Sequence, residues 1–230
     1  MKKIITRDGS ETFFSEECQE SYHSISGAAE EAVKKYAEPC RIASFRQVRL
    51  LDVCFGLGYN SAAALDAFHG ERIEIVGLEN DEKILNQARL VHPPFQSYNA
   101  IQQAAQNKFS VDGTRSVTLI MGDARDSVKE LKQLFHSEHD LFDVVFFGPF
   151  SPKKCPELWT LEFLTDIHAI MKKGGTLATY SCAAAVRQNL QKAGFSVHDG
   201  PIVGRKSPGT IAIAQCPVLN LPLSPCELKR

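Results

Sequence analysis

The sequence has no apolar run approaching the roughly 18 residues that a membrane-spanning helix needs. Its N-terminus, Met1-Lys2-Lys3-Ile4-Ile5, turns polar at once with Thr6-Arg7-Asp8-Gly9-Ser10. With neither a span nor an apolar signal core, the expected location is the cytoplasm and no membrane partner is expected. There is no Cys-x-x-Cys pair. The seven cysteines (Cys18, Cys40, Cys54, Cys155, Cys182, Cys216 and Cys226) are odd in number, scattered, and without histidines at ligand spacing. That pattern argues against a zinc site or a disulfide framework and predicts no metal, with reduced thiols packed as small core residues. An excess of positive charge is also missing: the formal net charge is −1, so any RNA partner must be gripped by local patches. Internal repeats and low-complexity tracts are absent.

What is present is an ordinary globular composition, 43% hydrophobic and 23% charged over 230 residues, which suits one main domain. From about residue 48, strand-like and helix-like segments alternate, the mark of a mostly parallel sheet covered by helices. Predicted strands are Val48–Cys54, Ile73–Leu78, Val117–Met121, Asp143–Phe147, Thr176–Tyr180, Phe195–Val197 and Thr210–Gln215, seven in all. Helices are expected over Ser61–Phe68, Asp81–Val91, Asp126–Phe135, Glu162–Met171 and Ala183–Ala193. Upstream, Ile4–Thr6 and Thr12–Phe14 flank Asp8-Gly9 and predict a tight hairpin, followed by a helix over Gly27–Tyr36. Residues 1–46 are expected to form an N-terminal extension over a cleft, or an ordinary decorative hairpin, with the main domain over 47–230. The connection His92–Ser116 is long and rich in Gln, Asn and Pro, and reads as an insertion.

The segment Leu50-Leu51-Asp52-Val53-Cys54-Phe55-Gly56-Leu57-Gly58-Tyr59-Asn60 is a buried strand entering a glycine turn and then a helix, where glycine permits close backbone approach. About twenty residues on, the next strand ends in Gly77-Leu78-Glu79, and a carboxylate at that spacing can accept hydrogen bonds from the hydroxyls of an adenosyl ribose. A dinucleotide loop would place a third glycine where Ser61 stands, so a cofactor without a pyrophosphate is favoured: S-adenosylmethionine. The third strand ends in Met121-Gly122-Asp123-Ala124, and Asp123 is positioned either to accept from the adenine amino group or simply to cap the next helix.

The run Phe146-Phe147-Gly148-Pro149-Phe150-Ser151-Pro152-Lys153-Lys154-Cys155-Pro156-Glu157-Leu158-Trp159, with Phe55-Gly56-Leu57-Gly58-Tyr59-Asn60, Gly174-Gly175-Thr176-Leu177-Ala178-Thr179-Tyr180 and Val203-Gly204-Arg205-Lys206, resembles the methyltransferase domain of the bifunctional enzyme that makes 5-methylaminomethyl-2-thiouridine at the tRNA wobble position. The likeness runs from about Arg7 to Ala214. It implies a Rossmann-like class I methyltransferase fold with a seven-stranded, mostly parallel sheet. It also implies methyl transfer from S-adenosylmethionine to the amine of 5-aminomethyl-2-thiouridine in tRNA, in a stand-alone form without the flavin domain. That form leaves room for a separate enzyme supplying the aminomethyl precursor. By position, Phe55, Gly56, Gly58 and Asn60, with Glu79, Asn80, Asp123 and Ala124, would hold the cofactor. Gly148, Phe150 and Pro152 would be the catalytic positions, with Phe150 and Pro152 also part of the wall of the nucleobase pocket. Ser151, Lys153 and Lys154 would wall the nucleobase pocket, Tyr22, His23 and Ser24 would close over it, and Arg205 and Lys206 would meet phosphate or solvent.

One position departs from the resembled pattern, which places an aspartate at the end of the fourth strand where this chain has Gly148. Methyl transfer needs the amine lone pair, and an amine near the lysine reference pKa of about 10.4 is mostly protonated at neutral pH. Asp143 begins the same strand, roughly 16 Å away at about 3.3 Å per residue. Either Tyr22, His23 or Glu157 assists, or the protein is an impaired cofactor binder. Methyl or aminopropyl transfer to another small amine is the competing enzyme reading; polyamine enzymes need several pocket carboxylates, whereas the Phe150–Lys154 loop offers cations. Trp159 is expected to be a packing anchor rather than a stacking platform. Cys155 lies in the pocket loop with no adjacent base evident to activate it.

Overall fold

The computed structural model describes residues 1–204 and 206–215; Arg205, Cys216 and Cys226 lie outside the described residues. The chain opens with three short strands, β1 (Lys2–Ile5), β2 (Glu11–Ser15) and β3 (Glu20–Ser21), which form a separate antiparallel sheet in that order. The hairpin expected around Asp8-Gly9 is made, with a connection wider than a tight turn. Ile5 pairs with Glu11, so five residues connect the strands, and Gly9 takes a positive φ while Asp8 does not. The Asp8 carboxylate instead turns inward: Oδ1 accepts from the Ser10 backbone N–H at 3.0 Å, and Oδ2 accepts from the Glu30 N–H at 2.9 Å. The hairpin is thereby tied to the helix that follows.

That helix, α1 (Ala28–Glu31), continues as a widened π turn over Ala32–Ala37, where the Glu38 N–H donates to the Val33 carbonyl five residues back at 2.9 Å. In an α-helix residues 31 and 35 share a face and 36 is turned away. The widened turn brings 36 round as well, and Glu31, Lys35 and Tyr36 all face one cleft.

The main sheet has eight strands rather than seven. They are β4 (Gln47–Val53), β5 (Arg72–Glu79), β6 (Phe109–Asp112), β7 (Arg115–Met121), β8 (Phe142–Phe147), β9 (Met171–Thr179), β10 (Phe195–Asp199) and β11 (Thr210–Ala214). Their spatial order is β10-β11-β9-β8-β4-β5-β7-β6. The five central strands are parallel; at the edges β6 and β11 run against them, and β10, antiparallel to β11, runs with them. The unpredicted strand, β6, comes from the connection expected to be an insertion. That connection carries a helix over Tyr98–Asn107 and then turns through Gly113-Thr114, with Gly113 at φ 57°, to pair β6 with β7.

The remaining helices are α2 (Tyr59–Ala67), α3 (Glu82–Ala88), α4 (the Tyr98–Asn107 helix), α5 (Ala124–Leu134), α6 (Leu161–Ala169) and α7 (Ala184–Lys192). The helix expected to reach Met171 stops at Ala169, and Met171 opens β9. Strand alternation divides the core between the two sheet faces. Leu50, Val144 and Phe146 pack beneath α1, α2 and α4, while Leu51, Val145 and Phe147 pack beneath α5, α6 and α7. With both faces covered, the central strands read as nearly unbroken apolar runs. No helix among the described residues is long and apolar enough to cross a membrane.

Candidate functional site

A cleft of about 690 Å³ opens where β4, β5, β7 and β8 end and their connecting loops begin, the place where open parallel sheets bind ligands. The N-terminal elements supply its far wall through Tyr22, His23, Ser24, Glu31, Lys35 and Tyr36.

At the β4 end, Cys54 adopts a left-handed conformation at φ 64°, unusual for a residue with a Cβ, and Gly56 and Gly58 follow at 58° and 71°. A Cβ on Gly58 would lie 2.5 Å from Ile101 and 2.6 Å from the Phe55 ring, so this glycine is required by packing. Gly56 faces the cleft, with Tyr22 at 3.5 Å from the position of an added Cβ. Glu79, at the end of β5, is buried and ties the turn together. Its Oε2 accepts from the Gly56 N–H at 2.7 Å, and its Oε1 accepts from the Asn80 and Asp81 N–H groups at 2.8 and 2.9 Å. Burial raises its pKa, and the three N–H donors oppose that rise. A carboxylate has about four lone-pair sites, so three N–H bonds leave capacity for one strong hydroxyl donor rather than the two expected of a ribose.

Asp123 lines the same cleft at the end of β7 but is already engaged. It caps α5 by accepting from the Arg125 N–H at 2.8 Å, and its two oxygens grip the Arg125 guanidinium. The Arg125 hydrogen bonds hold its carboxyl below the usual range. Below the glycine turn, Asp52 is fully buried; Oδ2 accepts from the Ser61 hydroxyl at 2.7 Å while Oδ1 has no partner. Burial pushes Asp52 up to about 7. Ser61, where a dinucleotide loop would carry glycine, thus serves Asp52.

On the opposite side, Tyr22 donates to Asp81 Oδ2 at 3.0 Å and stands edge-on to Phe150 with ring centres 4.9 Å apart. Burial, reinforced by Asp81, raises its pKa. His23 stacks on Tyr59 at 5.0 Å and shares a 3.1 Å hydrogen bond with Thr12; burial pulls it down to about 4, so it is neutral at physiological pH. Glu20 Oε2 accepts from the Ser151 N–H at 3.1 Å, latching the small sheet to the pocket loop. Lys153 and Lys154 stand exposed at the mouth. The Cys155 thiol does have a carboxylate beside it, contrary to the sequence expectation: it donates to Glu157 Oε1 at 3.2 Å. Burial and that neighbour push it up to about 12, which keeps it a thiol. Trp159 is a packing residue, its indole N–H donating to the Phe150 carbonyl at 2.8 Å and its ring edge-on to Phe147 at 5.1 Å.

Of the residues singled out from the sequence, Phe55, Gly56, Asn60, Glu79, Asn80, Asp123 and Ala124 share the cleft with Gly148, Phe150, Tyr22, His23, Ser24, Lys153 and Lys154. Gly58, Ser151, Pro152 and Lys206 do not line it. Asp143, as expected, serves the far end of β8, where it accepts from the Arg49 N–H and the Lys172 ammonium. Sequence reasoning named Glu79, Asp123 and Glu157 but missed four further carboxylates, Glu17, Glu20, Glu31 and Asp81. Glu17, Glu20, Glu31, Glu79, Asp81, Asp123 and Glu157 line the cleft against three lysines, Lys35, Lys153 and Lys154. The cationic-loop argument against a polyamine-type pocket is therefore overturned. Lys35 itself is neutralised by Glu31 at 2.7 Å.

A family model described as S-adenosyl-L-methionine-dependent methyltransferase matches residues 86–215. An uncharacterized protein of Methanocaldococcus jannaschii is 34% identical over 216 residues, covering 91% of this chain and 58% of that one. The tRNA 5-methylaminomethyl-2-thiouridine biosynthesis bifunctional protein MnmC of Ralstonia nicotianae is 28% identical, covering 87% of this chain and 33% of that one. The chain thus spans less than two thirds of the length of these curated relatives. The crystal structure of MNMC2 from Aquifex aeolicus superposes with a TM-score of 0.76 at 33% identity, over 94% of this chain and 71% of that one.

Proposed function

Since the chain belongs to the family of S-adenosyl-L-methionine-dependent methyltransferases, we propose that its cleft methylates the aminomethyl amine of the tRNA wobble uridine, converting 5-aminomethyl-2-thiouridine to 5-methylaminomethyl-2-thiouridine. The observation that carries this reading is the likeness to MnmC proteins across most of the chain. The residues fit the cofactor. Gly56 presents bare backbone to the cleft, and Glu79 keeps a lone pair for a ribose hydroxyl. Phe55, Asn60, Asn80, Asp123 and Ala124 complete that end, and Asp123 would have to share its oxygens with Arg125 to reach an adenine amine. When bound, the cofactor supplies an electrophilic methyl group on sulfur.

The protein's own task is to exclude water, strip the substrate amine of its proton and aim its lone pair. Residues 1–46 act as the extension that closes over the amine through Tyr22, His23 and Ser24, and Lys153 and Lys154 meet the RNA at the mouth. Neutral His23 and the raised pKa of Tyr22 fit a pocket that takes an uncharged amine. The protein works in the cytoplasm on tRNA that already carries the aminomethyl group. Labelled methyl transfer from S-adenosylmethionine to tRNA carrying the unmethylated aminomethyl group, followed by nucleoside analysis, tests the reading; label absent from the wobble nucleoside refutes it. The seven cleft carboxylates favour one second reading, transfer to a small polyamine. Offering putrescine and spermidine with either S-adenosylmethionine or its decarboxylated form separates methyl from aminopropyl transfer.

A further inference from the structure

The end of β8 leaves a space beside Gly148 that polar groups face. A Cβ built there meets nothing closer than Tyr36 Oη and the Val53 carbonyl, both at 3.7 Å, and Asn60 Nδ2 at 3.8 Å. Gly148, Tyr36 and Asn60 all line the cleft, so the space is open to substrate. Two buried oxygens nearby, Asp52 Oδ1 and Asn60 Oδ1, have no hydrogen-bond partner.

Building on the amine-methylation reading above, we propose that the Tyr36 hydroxyl is a catalytic residue: it accepts a hydrogen bond from the substrate amine over Gly148 and aims the nitrogen lone pair at the methyl group. The widened π turn is what brings Tyr36 to the cleft face beside Glu31 and Lys35, and such turns recur at functional sites. The ring is fixed edge-on to Phe146 at 5.5 Å, and the Tyr180 backbone holds the hydroxyl through one lone pair, leaving the other for the amine. Burial raises the Tyr36 pKa well above its ordinary value, so the group works as a neutral phenol. In the step itself the amine nitrogen forms the N–C bond while the C–S bond breaks with its electron pair on sulfur. The surplus proton of the resulting secondary ammonium passes to water as the product leaves the cleft.

The test compares the wild type with Tyr36→Phe, Gly148→Asp and the double variant. It measures single-turnover methyl transfer to aminomethylated tRNA and S-adenosylhomocysteine affinity by calorimetry. Phe keeps the ring and its packing. Tyr36→Phe is expected to slow transfer by about 10²-fold, the order of effect that losing an orienting contact has, with affinity unchanged. Gly148→Asp should restore the rate in the Tyr36→Phe background by more than it raises the wild type, since the two groups serve one function. A Tyr36→Phe rate equal to wild type, a loss of affinity that tracks the loss of rate, or no rescue by Gly148→Asp would each overturn the assignment. A wild type that binds S-adenosylhomocysteine yet transfers nothing to this tRNA removes the amine reading, and the role of Tyr36 with it.

Discussion

Replacing Glu79 by Gln isolates the charge at the end of β5 while keeping the side chain's shape. The native carboxylate accepts three backbone N–H groups, those of Gly56, Asn80 and Asp81. An amide oxygen can occupy only one of the two carboxylate positions. If it keeps the Asn80 and Asp81 donors, the amide NH2 faces the Gly56 N–H, donor against donor. Losing a hydrogen bond to a charged group costs about 1.5–3 kcal/mol. The unfavourable burial of a charge, visible in the raised pKa of Glu79, is relieved in the same change. The net loss of stability should therefore be about 1 kcal/mol, small enough to leave a folded protein. Cofactor affinity has no such compensation, because the ribose loses a charged acceptor and the Gly56 turn shifts. It should fall by about 1.5–3 kcal/mol, or roughly 10- to 150-fold in Kd. The pH dependence carries the sign of the shift: a raised pKa means that protonation begins at a higher pH than for an ordinary carboxylate. Wild-type affinity for S-adenosylhomocysteine should weaken on acidification while that of Glu79→Gln stays flat. Calorimetry across pH, with urea melts as the stability control, measures both. Unchanged affinity in the variant would show that Glu79 only organises the turn and that the adenosine lies elsewhere.

S-adenosylhomocysteine at a hundredfold excess over its Kd should stabilise the protein by about 2.7 kcal/mol, whereas NADH should give no thermal shift; a response to NADH alone would count against the adenosyl assignment. Lys153→Ala combined with Lys154→Ala should weaken tRNA binding and lower the salt slope by about 1–2 counterions, measured by filter binding across ionic strength, and an unchanged slope would place the RNA elsewhere. Asp52→Asn should stabilise the protein at pH 8. The folded pKa of about 7 lies above the unfolded value of 3.8, so Asp52 favours folding below pH 3.8 and loses that contribution as pH rises through 7. The variant should recover up to about 4 kcal/mol at pH 8 and little near pH 4, which denaturation at the two pH values reads directly.

The parallel core was legible because each central strand is buried on both faces and so reads as an apolar run, bounded by glycine turns. Leu50-Leu51-Asp52-Val53 and Val144-Val145-Phe146-Phe147 advertise themselves in this way. The glycine-turn end of the cleft was legible for the same reason: Gly56 and Glu79 follow directly from strands whose ends are fixed by that pattern. Turn chemistry was less transparent. Asp8-Gly9 matched the hairpin signal, yet the Asp8 carboxylate found better partners in Ser10 and Glu30, while Asp112-Gly113 carried the signal for β6 inside a connection that looked too polar to contain a strand. The π turn was invisible, since nothing in Ala32–Ala37 marks a five-residue hydrogen bond. Much of the acidic lining was missed because Glu17 and Glu20, Glu31, and Asp81 come from three separate segments, and only the closed fold brings them together. Asp123 shows the opposite limit: its residue type suited either cap or ligand, and the partner that engages it, Arg125, is decided by side-chain geometry.

The most direct test of the account is a crystal structure of the protein with S-adenosylhomocysteine. The ribose is expected against Glu79 beside the Gly56 turn, and the sulfur turned toward the space enclosed by Gly148, Tyr36 and Asn60. A ligand bound with its sulfur facing away from Gly148, or with its ribose remote from Glu79, would contradict it.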